Sequence, residues 1–209
     1  MPSPISIIST YYWSEGKFSQ LVIGGEIRNN SNLAFRGIVL KAKVYYLGQI
    51  TFDDLRFQPT ISATLPGQLN TYRFNAGGAM STDFTNYSAT IEILTTTVET
   101  SDRYRNLQVE SITTSRSDEV SGFPRNAGTI TIRNNYPQPV HDVRISTWSL
   151  SRRMDTNVYI CSFSNCSGSS FVSRLSPNQV FTTTVYWTGI AEVVPSNLVR
   201  VVAQGVVSP

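Results

Sequence analysis

Ile38-Val39-Leu40-Lys41-Ala42-Lys43-Val44-Tyr45-Tyr46 alternates along its length. Ile38, Leu40, Ala42, Val44 and Tyr46 take every second place, and Val39, Lys41, Lys43 and Tyr45 fall between them. Side chains of a strand point to opposite faces in turn. A period of two therefore sets one face against a core and the other towards solvent. The pattern returns 105 positions on, with Val143, Ile145 and Thr147 inward and Arg144, Ser146 and Trp148 outward. The stretch ahead of it returns too: Ile27-Arg28-Asn29-Asn30 is repeated as Ile132-Arg133-Asn134-Asn135. Leu65-Pro66-Gly67-Gln68 is echoed, a few residues out of step, by Leu175-Ser176-Pro177-Asn178-Gln179. A repeat of about a hundred residues is the size of a whole small domain. The expected organisation is all-β: two antiparallel β-sandwich modules in tandem, over 1–100 and 106–209, with a short stiff join at 100–106.

Composition agrees with that class. Val, Ile, Thr, Tyr and Phe are abundant and favour half-buried strands. Charged residues make up only 15% of the chain, too few for long solvent-facing helices. The net charge of +3 is spread out, and Lys17, Lys41 and Lys43 are the only lysines. No basic run could track phosphates, so nucleic-acid binding is not expected. No apolar stretch approaches the length of a membrane span, so no membrane insertion is expected. Met1-Pro2-Ser3-Pro4 has no charged n-region, and no secretory signal is expected in this chain. Short strands separated by turn signals fill the remainder. Asn29-Asn30-Ser31-Asn32, Leu47-Gly48-Gln49 and Asn134-Asn135-Tyr136-Pro137 are turns, and Ala76-Gly77-Gly78-Ala79 is a loop.

Each half resembles the FxLYD-type immunoglobulin-like domain of bacteria and archaea, a small β-sandwich. The residues that carry the resemblance are Gly25-Glu26-Ile27-Arg28-Asn29-Asn30-Ser31, then Phe35 and the alternating Ile38–Tyr46 strand, then Leu65-Pro66-Gly67. In that family a G-x-V-x-N-x-S turn, an alternating strand and an L-x-P-G turn follow in this order. The second half keeps Ile132-Arg133-Asn134-Asn135 and Leu175-Ser176-Pro177, with Ile130 where the shift would place Gly25 and no glycine at the final turn. Val44-Tyr45-Tyr46-Leu47-Gly48 stands in place of the literal F-x-L-Y-D string. The resemblance implies an exported or envelope protein without catalysis, although a fold does not fix a function.

The residues themselves offer little chemistry. His141 is the only histidine, and Asp142 beside it faces the other way on a strand. No Gly-x-Ser-x-Gly elbow and no glycine-rich phosphate cradle is present. Adjacent carboxylates on a strand diverge, so Asp53-Asp54 is read as solvated turn residues in preference to a calcium site. No catalytic residue, metal or cofactor is expected. Cys161 and Cys166 lie in one segment rich in Ser, Asn and Gly and are read as a local disulfide, with two free thiols as the alternative. A bridge would imply an oxidising compartment. Three Asn-x-Ser strings, at Asn29, Asn86 and Asn165, are glycosylation acceptors in form. Tyr11, Tyr12 and Trp13, with Val39, Tyr45 and Trp148 on outward positions, are candidates for an interface. The expected function is structural or adhesive, by self-association or association with a protein partner, in an extracellular, cell-envelope or virion assembly. The alternative is a carbohydrate-binding or enzyme-accessory module.

Overall fold

The computed structural model describes residues 3–15, 20–78, 83–120, 123–152, 159–163, 171–188, 193 and 195–207. The chain divides into two compact units, Met1–Thr100 and Ser101–Pro209. Among the described residues the regular structure is β, apart from single 3-10 turns at Phe84–Asn86 and Ser196–Leu198. Every strand pairing is antiparallel.

The first unit holds β1 (Ile5–Glu15), β2 (Gln20–Asn29), β3 (Ala34–Tyr46), β4 (Gln49–Phe57), β5 (Ala63–Thr64), β6 (Leu69–Gly78) and β7 (Tyr87–Glu99). One sheet has the order β1-β2-β6. In the other, β3 is central: β7 pairs along one side, β4 and then β5 along the other. The second unit holds β8 (Tyr104–Asn106), β9 (Gln108–Val120), β10 (Phe123–Arg133), β11 (Val140–Arg152), β12 (Tyr159–Phe163), β13 (Phe171–Leu175), β14 (Val180–Thr188) and β15 (Val199–Val206). Its sheets are β9-β10-β14 and one centred on β11, which pairs β12 and β13 on one side and β15 on the other. β8 adds to the far edge of β15.

The alternating pattern sets the core. Ile38, Leu40, Ala42 and Val44 are buried, as are Val143, Ile145 and Thr147. In the first unit Ile38, Leu40 and Phe35 meet Ile5, Ile27 and Tyr72 from the opposite sheet. Val44 and Tyr87 meet Leu21, Ile23 and Ala76. In the second, Ile130, Ile132 and Val185 pack on Val140, Val143, Ile145 and Ala203.

Two fully buried asparagines organise the turns. Asn29 closes β2, and its Nδ2 donates to the carbonyls of Leu33 (2.6 Å) and Thr64 (3.0 Å). Its Oδ1 accepts from the Ser31 amide at 3.0 Å, an Asx turn. Its backbone is clamped as well: the Asn29 amide donates to Gln68 O and the Gly67 amide donates to Asn29 O. Asn134 repeats the set. Its Nδ2 donates to Gln138 O (2.9 Å) and Leu175 O (3.1 Å), and its Oδ1 accepts from the Tyr136 amide. Its own amide donates to Gln179 O, and Asn178 N donates to Asn134 O. The motif repeated in sequence is thus one polar joint that ties the end of a strand in one sheet to the opposite sheet.

Departures between the halves are compensated locally. Gly67 has φ 71°, and Asn178, in the corresponding place, has φ 59°. Asparagine tolerates the left-handed region, so the turn survives without glycine. Gly37 (φ 57°) and Asp142 (φ 50°) lie at matching irregularities of β3 and β11, where an extra residue bulges. A Cβ at Gly25 would overlap the Ser9 carbonyl and the ring of Tyr72, its cross-strand partner. The second unit replaces this glycine–tyrosine pair with Ile130 opposite Thr183, moving the bulk from one strand to the other.

Two expected boundaries move. The Ala76-Gly77-Gly78 loop continues β6, with Gly77 at φ 100° taking up a register shift against β2. The join expected at 100–106 contains β8. Leu40 is fully buried at the centre of its sheet, so Leu40→Ala should cost about 2–5 kcal/mol. Denaturant unfolding measures this, and an unchanged midpoint would mean the strand register is wrong.

Candidate association surface

The outer face of the β4-β3-β7 sheet is built from the residues that alternate with the core. Val39, Lys41, Lys43 and Tyr45 are half-buried there, flanked by exposed Arg56 and Ile50 on β4 and by exposed Ser88, Thr90 and Glu92 on β7. Lys41, Lys43, Tyr45, Thr90 and Glu92 line a shallow depression.

A bulge reorganises the charges on this face. Asp54 has φ 58°, and the pairing slips between Ala42–Leu55 and Val44–Phe52. The slip turns Asp53 and Asp54 to the same side, against the expectation that neighbouring carboxylates diverge. Asp53 meets Lys43 at 3.5 Å, and Asp54 meets Lys41 at 3.5 Å and Arg56 at 3.1 Å. The Arg56 hydrogen bond, with the nearby charges of Arg56 and Lys41, holds the Asp54 carboxyl below its ordinary range. The middle of the face is therefore a self-neutralised ion-pair lattice, and such surface pairs set geometry more than stability.

The end of the face is apolar. β3 and β4 are joined by Leu47 (φ 49°) and Gly48 (φ 78°), a two-residue hairpin loop with both residues left-handed. Asn or Gly is the usual first residue of such a loop, whereas a branched aliphatic side chain there is strained. Leu47 is nonetheless 66% exposed, and Ile50, beside Tyr45 in the ladder, is 56% exposed. Leu94, at the register shift between β7 and β3, is also exposed. Sequence reading selected Val39 and Tyr45 but missed Leu47, Ile50 and Leu94. For Leu47 the available signal was a large apolar residue in a turn position that calls for asparagine or glycine; Ile50 and Leu94 lie within β4 and β7.

The other candidates are dispersed. Tyr12 is half-buried against the Leu21–Val44 cluster. Burial pushes its hydroxyl above the ordinary tyrosine range, and a hydrogen bond with the Ala89 backbone offsets part of that. Tyr11 is half-buried opposite Gly24. Trp13 and Trp148 lie on β1 and β11 by their backbones, and their side chains are outside the described residues. The backbone of Cys161 pairs with Leu150 on β11, but its side chain and the whole of Cys166 are outside the described residues, as is the expected bridge. His141 is half-buried beside the bulged Asp142. The burial of Asn29 rules out its glycosylation in the folded chain.

Asp54 supplies a test of the lattice. Because its folded pKa is lowered, its contribution to stability is present above the unfolded carboxylate pKa and is lost as pH falls through the lowered value. Arg56→Gln should move the Asp54 carboxyl titration upward, as followed by NMR. An unmoved titration would contradict the assignment of Arg56 as the main cause.

Neither a protein-family model nor a curated protein matches the chain.

Proposed function

We propose that this chain is a pair of immunoglobulin-like β-sandwiches of the FxLYD type, and that it works without catalysis, as a structural or adhesive component. It holds a protein neighbour, or another copy of itself, in an assembly on a cell envelope, a surface filament or a virion. The two matched asparagine joints and the core shared between two sheets in each unit support the sandwich reading. Carboxylates already paired with lysine and arginine, and a single histidine, support a non-enzymatic role.

Leu47 carries the proposal of association. A strained, exposed leucine at a hairpin tip costs stability, since the left-handed conformation disfavours a side chain by about 1–2 kcal/mol. Together with Ile50 and Tyr45 it forms an apolar end to an otherwise charged face. Strain held at an exposed apolar position is the pattern of a contact residue, which the partner covers and the free chain leaves in water.

The two roles of Leu47 separate in one variant. Leu47→Asn should leave the fold as stable as before, or more stable by about 1 kcal/mol, because asparagine accepts that backbone. Combined with Ile50→Thr, it should abolish self-association of the purified chain, or its co-sedimentation with neighbouring gene products. Sedimentation velocity and native mass spectrometry measure this. A monomer that binds none of them, but binds a polysaccharide through Trp148 or Trp13, would reverse the ranking in favour of a carbohydrate module.

A further inference from the structure

The two units give corresponding sheets different charge. β3, β4 and β7 hold four cationic side chains and four carboxylates, and their outer face closes on itself as the ion-pair lattice described above. The strands of the β11 sheet, namely β8, β11, β12, β13 and β15, hold five arginines and one carboxylate, Asp142.

The registers show which of these arginines share a face. A Cβ at Gly205 would meet Val140 and Val143 of the core, so Gly205 looks inward and its neighbours Gln204 and Val206 look outward. Gln204 is aligned with Arg144, and Val206 with His141, which is aligned in turn with Arg174. Arg200 has the parity of Gln204 along β15. Arg144, Arg174 and Arg200 therefore point outward together, and all three are exposed. Among the described residues neither Arg174 nor Arg200 has an ion pair, and none joins Asp142 to any of the three. Tyr104, opposite Val206, lies on the same face, and the Arg103 guanidinium sits over its ring, 5.1 Å from the centroid.

We propose that this face of the second unit is a docking site for an acidic, extended segment of a different polypeptide, whose carboxylates the three arginines hold. The guanidinium fork matches a carboxylate with two parallel hydrogen bonds, and the second unit carries no lysine, whose point charge lacks that match. None of the exposed large apolar side chains lies on these strands, so the face suits a charged segment better than the apolar anchor of a folded partner. A second copy is the poorer fit. Asp53, Asp54, Glu99, Asp102 and Glu110 already hold cations of their own chain, and copies with a net charge of +3 repel one another. A sugar ring would need an open aromatic face, and Arg103 covers that of Tyr104, the aromatic side chain described here. Arg200 lies four residues along β15 from Gln204, the partner of Arg144, so the two arginines stand about 14 Å apart along the strands. A duplex presents a phosphate every ~1.7 Å of its axis, a density that this spacing does not match. The proposal rests on the reading of the chain as an association protein and names a partner's chemistry, at a surface other than the hairpin tip.

The probe is a labelled synthetic peptide of alternating Glu and Ser, titrated with the full chain at low salt and followed by fluorescence anisotropy. The parent chain should bind it, and added salt should weaken the binding. Arg174→Gln combined with Arg200→Gln should weaken it by about tenfold or more. Arg28→Gln combined with Arg116→Gln removes the same charge from exposed positions on β2 and β9, in other sheets, and should change it little. No binding by the parent chain, or equal weakening by both double variants, would overturn the proposal. So would a polyuronate or duplex DNA that binds through Arg174 and Arg200 more tightly than the peptide does. Each of these results leaves the hairpin-tip reading intact, because that is read by association of the Leu47→Asn variant.

Discussion

The carboxamide of a buried asparagine holds each unit together at its most demanding point. Where β2 and β10 end, the chain must cross from one sheet to the other, and backbone groups that leave a ladder inside a protein must find new partners. Asn29 and Asn134 supply them. Asn29 donates to two carbonyls and Asn134 to three, and each accepts the amide two residues on. No other side chain of this size offers two donors and an acceptor in one rigid plane. An unmade hydrogen bond at a buried polar group costs about 1–3 kcal/mol. Against a domain stability of about 5–15 kcal/mol, losing such a joint is a large fraction of the whole.

The surrounding irregularities follow from that joint. The turn that reaches back to clamp the asparagine needs a left-handed residue, filled by Gly67 in one unit and Asn178 in the other. Gln68 and Gln179 then close the turn alike, each Oε1 accepting from an amide three residues earlier. The bulge at Gly37 or Asp142 sits just beyond the joint, where β3 or β11 enters its sheet. With these points fixed, the rest of each unit has latitude. Leu21 and Ile23, core residues of β2, correspond to Asn126 and Gly128 on β10, so β10 brings a smaller and more polar pair to these two positions.

Much of this was legible in the sequence because it depends on local rules. The alternation over 38–46 picked out the buried residues, since a period of two leaves no choice of face once one side is apolar. The repeated Asn-Asn turn and the Leu-Pro-Gly turn marked the joint, although not that the asparagine side chain was its active part. The failures share a cause. Asp53 and Asp54 face the same way because of a bulge, and bulges have no period. Gly77 and Gly78 read as a loop, yet pairing with β2 keeps them in strand. Tyr104–Asn106 looked like a join because three residues show no periodicity, and only the edge of β15 makes them a strand. Leu47 was read as part of a turn, but its strain lies in a backbone angle, and a leucine in that position was not weighed as a signal.

If the asparagine joint governs each unit, its loss should be felt well beyond one contact. The decisive measurement is the unfolding free energy, by chemical denaturation, of Asn29→Ala and Asn134→Ala beside the corresponding Asn→Asp variants. The account predicts a loss of about 3 kcal/mol or more in the affected unit for each alanine variant, and no rescue by aspartate, which keeps the shape but cannot donate when ionised. A loss below about 1 kcal/mol, or aspartate variants as stable as the parent chain, would contradict it.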